Sequence, residues 1–183
     1  MRLRWLAVFG QSLAVVIVAM LLGYPMPLGP CLALIALSAW LNIFLTIRWP
    51  GSLRLSPRMA GLLLAYDTVQ LAGLLYLTGG LQNPFAFLFL VPVTVSATSL
   101  PPRATLALGA LSFGCATALA YVHLPLPWPV GETLLLPRNY LIGLWIAIVC
   151  GTVFSAIYAR RIAEEARQMS AALAHEINQP LNV

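Results

Sequence analysis

The sequence predicts an all-α membrane protein with six transmembrane helices, and three observations carry that reading. Of 183 residues, 61% are hydrophobic and only 8% charged, with a mean hydropathy of +0.90, whereas a soluble domain carries about a quarter charged residues. The apolar residues fall into long blocks, each near the ~20 residues needed to cross a ~30 Å hydrocarbon core. The blocks are continuously apolar rather than alternating, and in lipid a helix satisfies its own backbone where an open strand does not.

The blocks run, in order, over about 5–23, 28–47, 59–77, 85–100, 104–122 and 139–158. The first follows Arg2 and Arg4 and imitates a signal peptide, but its apolar run from Trp5 to Leu22 is long for one and lacks a small-x-small cleavage pattern. It reads as a retained helix. The second and third are separated by a proline- and arginine-bearing connection, RWPGSLRLSPR, and TGGLQNP joins the third to the fourth; such residues end helices and begin turns. The fourth block is interrupted by Pro92 and made more polar by Thr94, Ser96, Thr98 and Ser99, which predicts a span kinked at the proline. LPPR leads into the fifth, and HLPLPWPVGETLLLPR into the sixth.

All ten basic residues are arginines. With the N-terminus inside, nine of them (Arg2, Arg4, Arg48, Arg54, Arg58, Arg103, Arg160, Arg161 and Arg167) fall in cytoplasmic segments and only Arg138 lies outside. That positive-inside bias places both termini in the cytoplasm, which an even number of spans permits. The net charge of +5 is thus spread over short connections as topology signals and head-group anchors. A nucleic-acid surface would gather it into one solvated stripe, so membrane lipid, and not nucleic acid, is the expected surrounding. Trp5, Trp40, Trp49, Trp128 and Trp145 lie mostly near block ends, as interfacial anchors do. Cys31, Cys115 and Cys150 sit inside apolar blocks without CxxC spacing; they read as small hydrophobes and support neither a disulfide framework nor a metal site.

After Tyr158 the chain becomes polar and helical. Residues 1–158 thus form a membrane domain, and 159–183 a cytoplasmic extension that continues the sixth span. Ile162, Ala166, Met169 and Leu173 follow 4-3-4 spacing, a coiled-coil seam of under two heptads. Arg160–Glu164 and Arg161–Glu165 are spaced for i,i+4 pairing. His175 stands about 200° of helix beyond Leu173 and points away from the seam, where an imidazole can serve as a nucleophile if a base handles its proton. Glu176 is adjacent, and Pro180 bends or ends the helix just below. Taken alone, these residues also fit an ordinary solvated histidine on a polar helix.

The whole string, Ala174-His175-Glu176-Ile177-Asn178-Gln179-Pro180-Leu181, closely resembles the H-box of sensor histidine kinases, A-H-E-[IL]-x-x-P-L. The resemblance implies His175 as phosphoacceptor, Glu176 as its acid/base partner, and Met169, Leu173 and Ile177 facing the core of a dimeric four-helix bundle. It further implies a response regulator as partner. ATP would act only through a kinase domain absent from this chain, which alone should be inactive. Gln179 stands where many members carry Asn or Thr for phosphatase action, so the chain departs from the pattern there.

The connection Thr78-Gly79-Gly80-Leu81-Gln82-Asn83-Pro84-Phe85 is the second motif. Its glycines allow positive φ and close approach of the backbone to a ligand. Gln82 and Asn83 carry amide donors, and Phe85, Phe87 and Phe89 supply aromatic surface. This mixture suits a flat quinone dissolved in lipid and equally suits an ordinary tight turn. The segment resembles the GGxxNPF heptapeptide of the RegB/PrrB (ActS/RoxS) family of redox-sensing membrane histidine kinases, with each fixed position present. That resemblance implies six spans in a bacterial inner membrane and ubiquinone contact at Gly79, Gly80, Gln82, Asn83, Pro84 and Phe85. The family's redox-active cysteine lies downstream of the H-box, so none of the three cysteines here takes that role.

Two polar residues stand apart. Asp67 falls near the middle of the third span, where a carboxylate must be neutral or paired. It reads either as a proton- or redox-linked switch or as a buried structural residue, with Thr68, Gln70, Asn42 and Thr46 as candidate neighbours. His123 sits at the outer end of the fifth span, as a quinol-site proton acceptor or an interfacial anchor. Two other functions stand beside quinone sensing: a kinase sensor for another lipophilic stimulus, or a small channel or transporter with a fortuitous tail. Few polar residues are available to line a pathway for the latter.

Overall fold

The computed structural model describes residues 2–48, 56–129 and 136–178, with the backbone alone at 2, 3 and 176–178. Trp49, Arg54 and the residues from Gln179 onward lie outside the described residues. Every apolar block is helical: α1 Arg2–Val16, closed by a π-turn at Ile17–Leu21; α2 Leu28–Arg48; α3 Pro57–Leu77; α4 Leu90–Ser99; α5 Pro102–Tyr121; and α6 Arg138–Asn178. Local chemistry sets several boundaries. Ser56 caps α3 by accepting a hydrogen bond from Met59 N at 3.4 Å, and Pro57 and Pro102 occupy first-turn positions where a missing N–H costs nothing.

The fourth span differs from expectation. Its irregularity precedes Pro92: residues Pro84–Phe89 wind as a six-residue 3₁₀ helix that runs directly into α4, and Pro92 falls in the first turn of α4, where it breaks nothing. A 3₁₀ helix rises about 2.0 Å per residue against 1.5 Å for an α-helix. The composite Pro84–Ser99 therefore extends about 27 Å, close to the ~30 Å core that 16 α-helical residues would miss by more. The hydroxyls that made this block look polar are satisfied locally: Thr94 donates to Leu90 O at 2.8 Å, Ser96 to Val93 O at 2.7 Å and Thr98 to Val95 O at 2.8 Å. The other five helices are each long and apolar enough to span by themselves.

α1 packs on α2, α2 on α3, and α3 on α4 and α5; α4 lies along α6, with α5 beside both. Leu71, Leu75, Leu81, Phe89, Ala116 and Ile148 form the largest buried cluster, where α3, α5 and α6 converge on the connection after α3. A second cluster joins Val15, Cys31, Ile35 and Leu74 across α1, α2 and α3. Cys31 is buried as a small hydrophobe, Cys115 is half-buried, and Cys150 is exposed on α6. Large apolar side chains such as Trp40, Leu62, Leu106 and Phe154 are exposed around the bundle, as a protein whose surroundings are hydrocarbon requires.

Candidate functional site

The connection after α3 is buried over residues 78–81, half-buried at Gln82 and Asn83, and exposed at Pro84 and Phe85. Gly79 has φ 105° and Gly80 φ 59°, both in the left-handed region, and Gly80–Gln82 make a turn of 3₁₀ helix. A Cβ at Gly79 would lie 2.9 Å from Leu126 Cα, and one at Gly80 2.6 Å from Leu119 O and from His123 Cγ. The close approach these glycines permit is therefore to the chain's own segment after α5, which is strapped across by a hydrogen bond from Leu124 N to Tyr76 O at 2.8 Å. His123 lies against Gly80, and its Nδ1–H donates to Leu124 O at 2.8 Å.

Asn83 holds the turn together. Its amide group donates to Thr78 O at 3.0 Å and to Thr78 Oγ1 at 2.8 Å, while Oδ1 caps the 3₁₀ helix by accepting from Phe85 N at 2.9 Å. Both amide hydrogens are thus used within the turn, which leaves Gln82, half-buried, as the side-chain amide of the motif with donors to offer. Pro84, Phe85 and Phe87 are exposed; Phe89, expected beside them at the surface, is fully buried in the core.

Thr78, Asn83, Pro84 and Phe85 form one end of a cavity of about 890 Å³ between α1 on one side and α3 and α4 on the other. Its walls are mostly aliphatic. Partway along, at Asp67, it is polar, and sequence reasoning missed what assembles there. Arg4, taken above as a topology signal, turns inward: its Nη2 meets Asp67 Oδ1 at 2.7 Å, and its guanidinium lies 5.8 Å from the Tyr66 ring centroid. Asp67 is the eleventh of the 21 residues of α3, so the pair sits about midway along the span. Seven residues along α1 from Arg4, Gln11 Oε1 accepts from Gln70 Nε2 at 2.9 Å. Asn42 on α2 also lines the cavity, whereas Thr46 bonds its own helix at Asn42 O. The available signal was electrostatic: a carboxylate in mid-span demands a cation, and arginines at neighbouring span ends were its candidates.

At the other side of the bundle, Thr94 and Ser155 share a hydrogen bond of 2.9 Å between α4 and α6, and Leu90 packs against Gly151. α6 runs unbroken through Tyr158, so the polar extension and the sixth span are one helix of 41 residues. Arg160 pairs with Glu164 at 3.0 Å, while Arg161 and Glu165 form no ion pair. Arg167 donates to Thr98 O at 2.7 Å, tying the extension to the end of α4. Ile162, Ala166, Met169 and Leu173 are exposed along one stripe, and His175 is exposed near the helix end. The side chain of Glu176 lies outside the described residues. Neither the loop nor the cavity lies beside His175; what joins them is the length of α4 and α6.

The arrangement defines a class, a multi-pass helical membrane domain whose last span continues as a single long helix. Residues 24–130 match the family described as the PilS-like transmembrane domain, and the chain belongs to that family. Over 171 residues, 93% of this chain, it is 45% identical to the sensor histidine kinase RegB of Cereibacter sphaeroides, and a second RegB from a strain of that species is 46% identical over the same length. The resemblance to the RegB group therefore extends over nearly the whole chain. The chain spans 37% of the length of each of these relatives. No solved structure matches it.

Proposed function

We propose that this chain is the sensor half of a two-component histidine kinase that reads the redox state of the membrane quinone pool and controls phosphorylation of His175. The observation that carries the reading is the cavity of about 890 Å³ that starts at Asn83, Pro84 and Phe85 and runs down the bundle, mostly apolar along its walls and polar at the loop and again at Arg4 and Asp67. A polyprenyl quinone matches that distribution, with an apolar tail and a flat head bearing acceptor oxygens. In this reading both termini are cytoplasmic, and the arginine-rich ends of the helices face that side.

The 3₁₀ segment beginning at Pro84 leads into α4, and α4 lies against α6 through Thr94–Ser155 and Arg167–Thr98. A ligand at the loop would bias the position of α4, and a shift of α4 would move or rotate the single rod that carries His175. The exposed stripe of Ile162, Ala166, Met169 and Leu173 is where a second copy would pack in a dimer. ATP and the response regulator would act through the parts of the kinase that the longer relatives carry, with Glu176 assisting at His175.

The test is autophosphorylation of the full-length kinase in proteoliposomes poised with oxidised or reduced ubiquinone. Phe85→Ala should abolish the difference between the two while leaving phosphorylation itself in place. An unchanged redox response in that variant would exclude the loop as the quinone contact. A response to some other lipophile, with none to quinone, would favour a different stimulus acting through the same cavity.

A further inference from the structure

The cavity is bridged from α3 to α1 at Gln70, whose Nε2 donates to Gln11 Oε1 at 2.9 Å. From Gln70 to Thr78 at the loop is eight residues, about 12 Å of helix. Over that length the α3 wall is Leu71, Leu74 and Leu75, and Ala14, Val15 and Val18 line the cavity from the first span. Among the described residues that line the cavity only Arg4 and Asp67 carry charge, and they pair with each other beyond Gln70. The loop-side compartment is therefore uncharged and largely aliphatic. It is also open at the side. α1 and α4 are not packed on each other, and two α4 residues that line the cavity, Val91 and Val95, are 51% and 37% exposed. In a bilayer the surroundings of that gap are hydrocarbon.

From this shape we infer that the loop-side compartment is a tail channel: it holds the first isoprenoid units of a quinone whose head lies at the loop, the Gln11–Gln70 bridge stops them, and the rest of the tail leaves between α1 and α4 into the bilayer. The inference rests on the quinone reading above and adds to it the path of the tail and a limit on its length. Three extended chain bonds span about 3.6 Å, so the four of an isoprenoid unit take about 5 Å and the compartment holds about two or three units. Passing the bridge would part the two amides and leave both without partners in an apolar setting, which is costly. A phospholipid acyl chain suits the aliphatic walls too, but it brings a phosphodiester to the mouth. No cation lines the cavity there, and Asn83 spends both amide hydrogens on Thr78, whereas phosphate recognition relies on charged or free donors. A neutral flat head beside Pro84 and Phe85 needs no cation.

The experiment is photolabelling of the full-length kinase in phosphatidylcholine nanodiscs, using ubiquinone analogues with a diazirine on the second or on the fifth isoprenoid unit. Adducts are mapped by peptide mass spectrometry. The second-unit probe should label residues around Ala14, Leu71, Leu74 and Val91, and about a tenfold excess of ubiquinone-2 should reduce that labelling about tenfold by mass action. The fifth-unit probe should label lipid and spare these residues. Ala14→Phe, which fills the compartment from α1, should remove most of the second-unit adducts there and keep those at the loop. Val91→Phe fills it from α4 and serves if the first variant does not fold. Second-unit adducts confined to the loop, still displaced by ubiquinone-2, would overturn the channel and leave the quinone reading intact. Equal labelling of the compartment by a diazirine on a phospholipid acyl chain, undisplaced by ubiquinone-2, would also overturn the channel. Absence of displaceable labelling by either quinone probe anywhere in the protein would overturn both.

Discussion

Arg4 and Asp67 meet at 2.7 Å across 63 residues of sequence, a cation from the beginning of the first span reaching a carboxylate at the middle of the third. Arginines near span ends ordinarily extend toward water. Here the carboxylate in low dielectric draws the guanidinium inward. Removing one partner strands the other, so Asp67→Ala should cost about 3 kcal/mol, whereas Arg4→Met with Asp67→Leu should recover most of that loss. Thermal unfolding in detergent of Asp67→Ala and of the double variant measures this.

The two loop glycines should be intolerant for a different reason. Gly80→Ala sets a Cβ 2.6 Å from Leu119 O at a φ of 59°, and Gly79→Ala sets one 2.9 Å from Leu126 Cα at 105°. Each should destabilise by about 2 kcal/mol or more, combining strain with displacement of the segment after α5. Gly143→Ala, in helical backbone with nothing within 4 Å, should instead be neutral or raise stability by up to about 1 kcal/mol. Melting curves of the three variants separate these cases.

Asn83 makes three hydrogen bonds inside the turn. Asn83→Ala should therefore lower stability by about 2 kcal/mol whether or not a ligand is bound. Asn83→Asp keeps the cap on Phe85 N and loses the two bonds to Thr78, so it should fall between. A loss of quinone response in Asn83 variants is interpretable only beside such a stability measurement.

Thr94 and Ser155 join α4 to α6. A double-mutant cycle with Thr94→Val and Ser155→Ala should give a coupling of about 0.6 kcal/mol, the usual size for a side-chain hydrogen bond between membrane helices. In the full-length kinase the same substitutions should blunt the redox response more than they alter basal phosphorylation.

The continuity of α6 through Tyr158 makes a rotation or shift transmissible. Two glycines inserted after Arg161 should uncouple redox state from phosphorylation of His175 in the full-length kinase, because an insertion of this kind both softens the helix and changes the register of the seam. Redox control of equal size in the inserted protein would exclude the helix as a rigid link.

Much of the fold was legible because its cause is local. A run of about twenty apolar residues must be helical in lipid, prolines must sit at helix starts, and Asp67 must find a partner; each statement follows from composition and backbone satisfaction alone. The 3₁₀ winding at Pro84–Phe89 was not legible, since six apolar residues read the same in either helix and Pro92 drew the expected break to itself. The H-box and the loop were visible as strings, whereas the burial of Gly79 and Gly80 under Leu126 and His123 depended on residues some forty positions away.

The sequence by itself determined that this chain crosses a membrane as helices, which blocks do so, and that a histidine motif follows the last of them, because hydrophobic length and backbone hydrogen bonding leave lipid no other solution. Only the tertiary structure decided which polar groups meet: that Arg4 belongs to Asp67, that Asn83 is spent on its own turn, and that the Asn42 amide is buried without a partner. Partner choice among a few polar side chains depends on how six rods are rotated and offset against one another. Lipid, as apolar as their outer faces, leaves that to packing rather than to hydrophobic pattern.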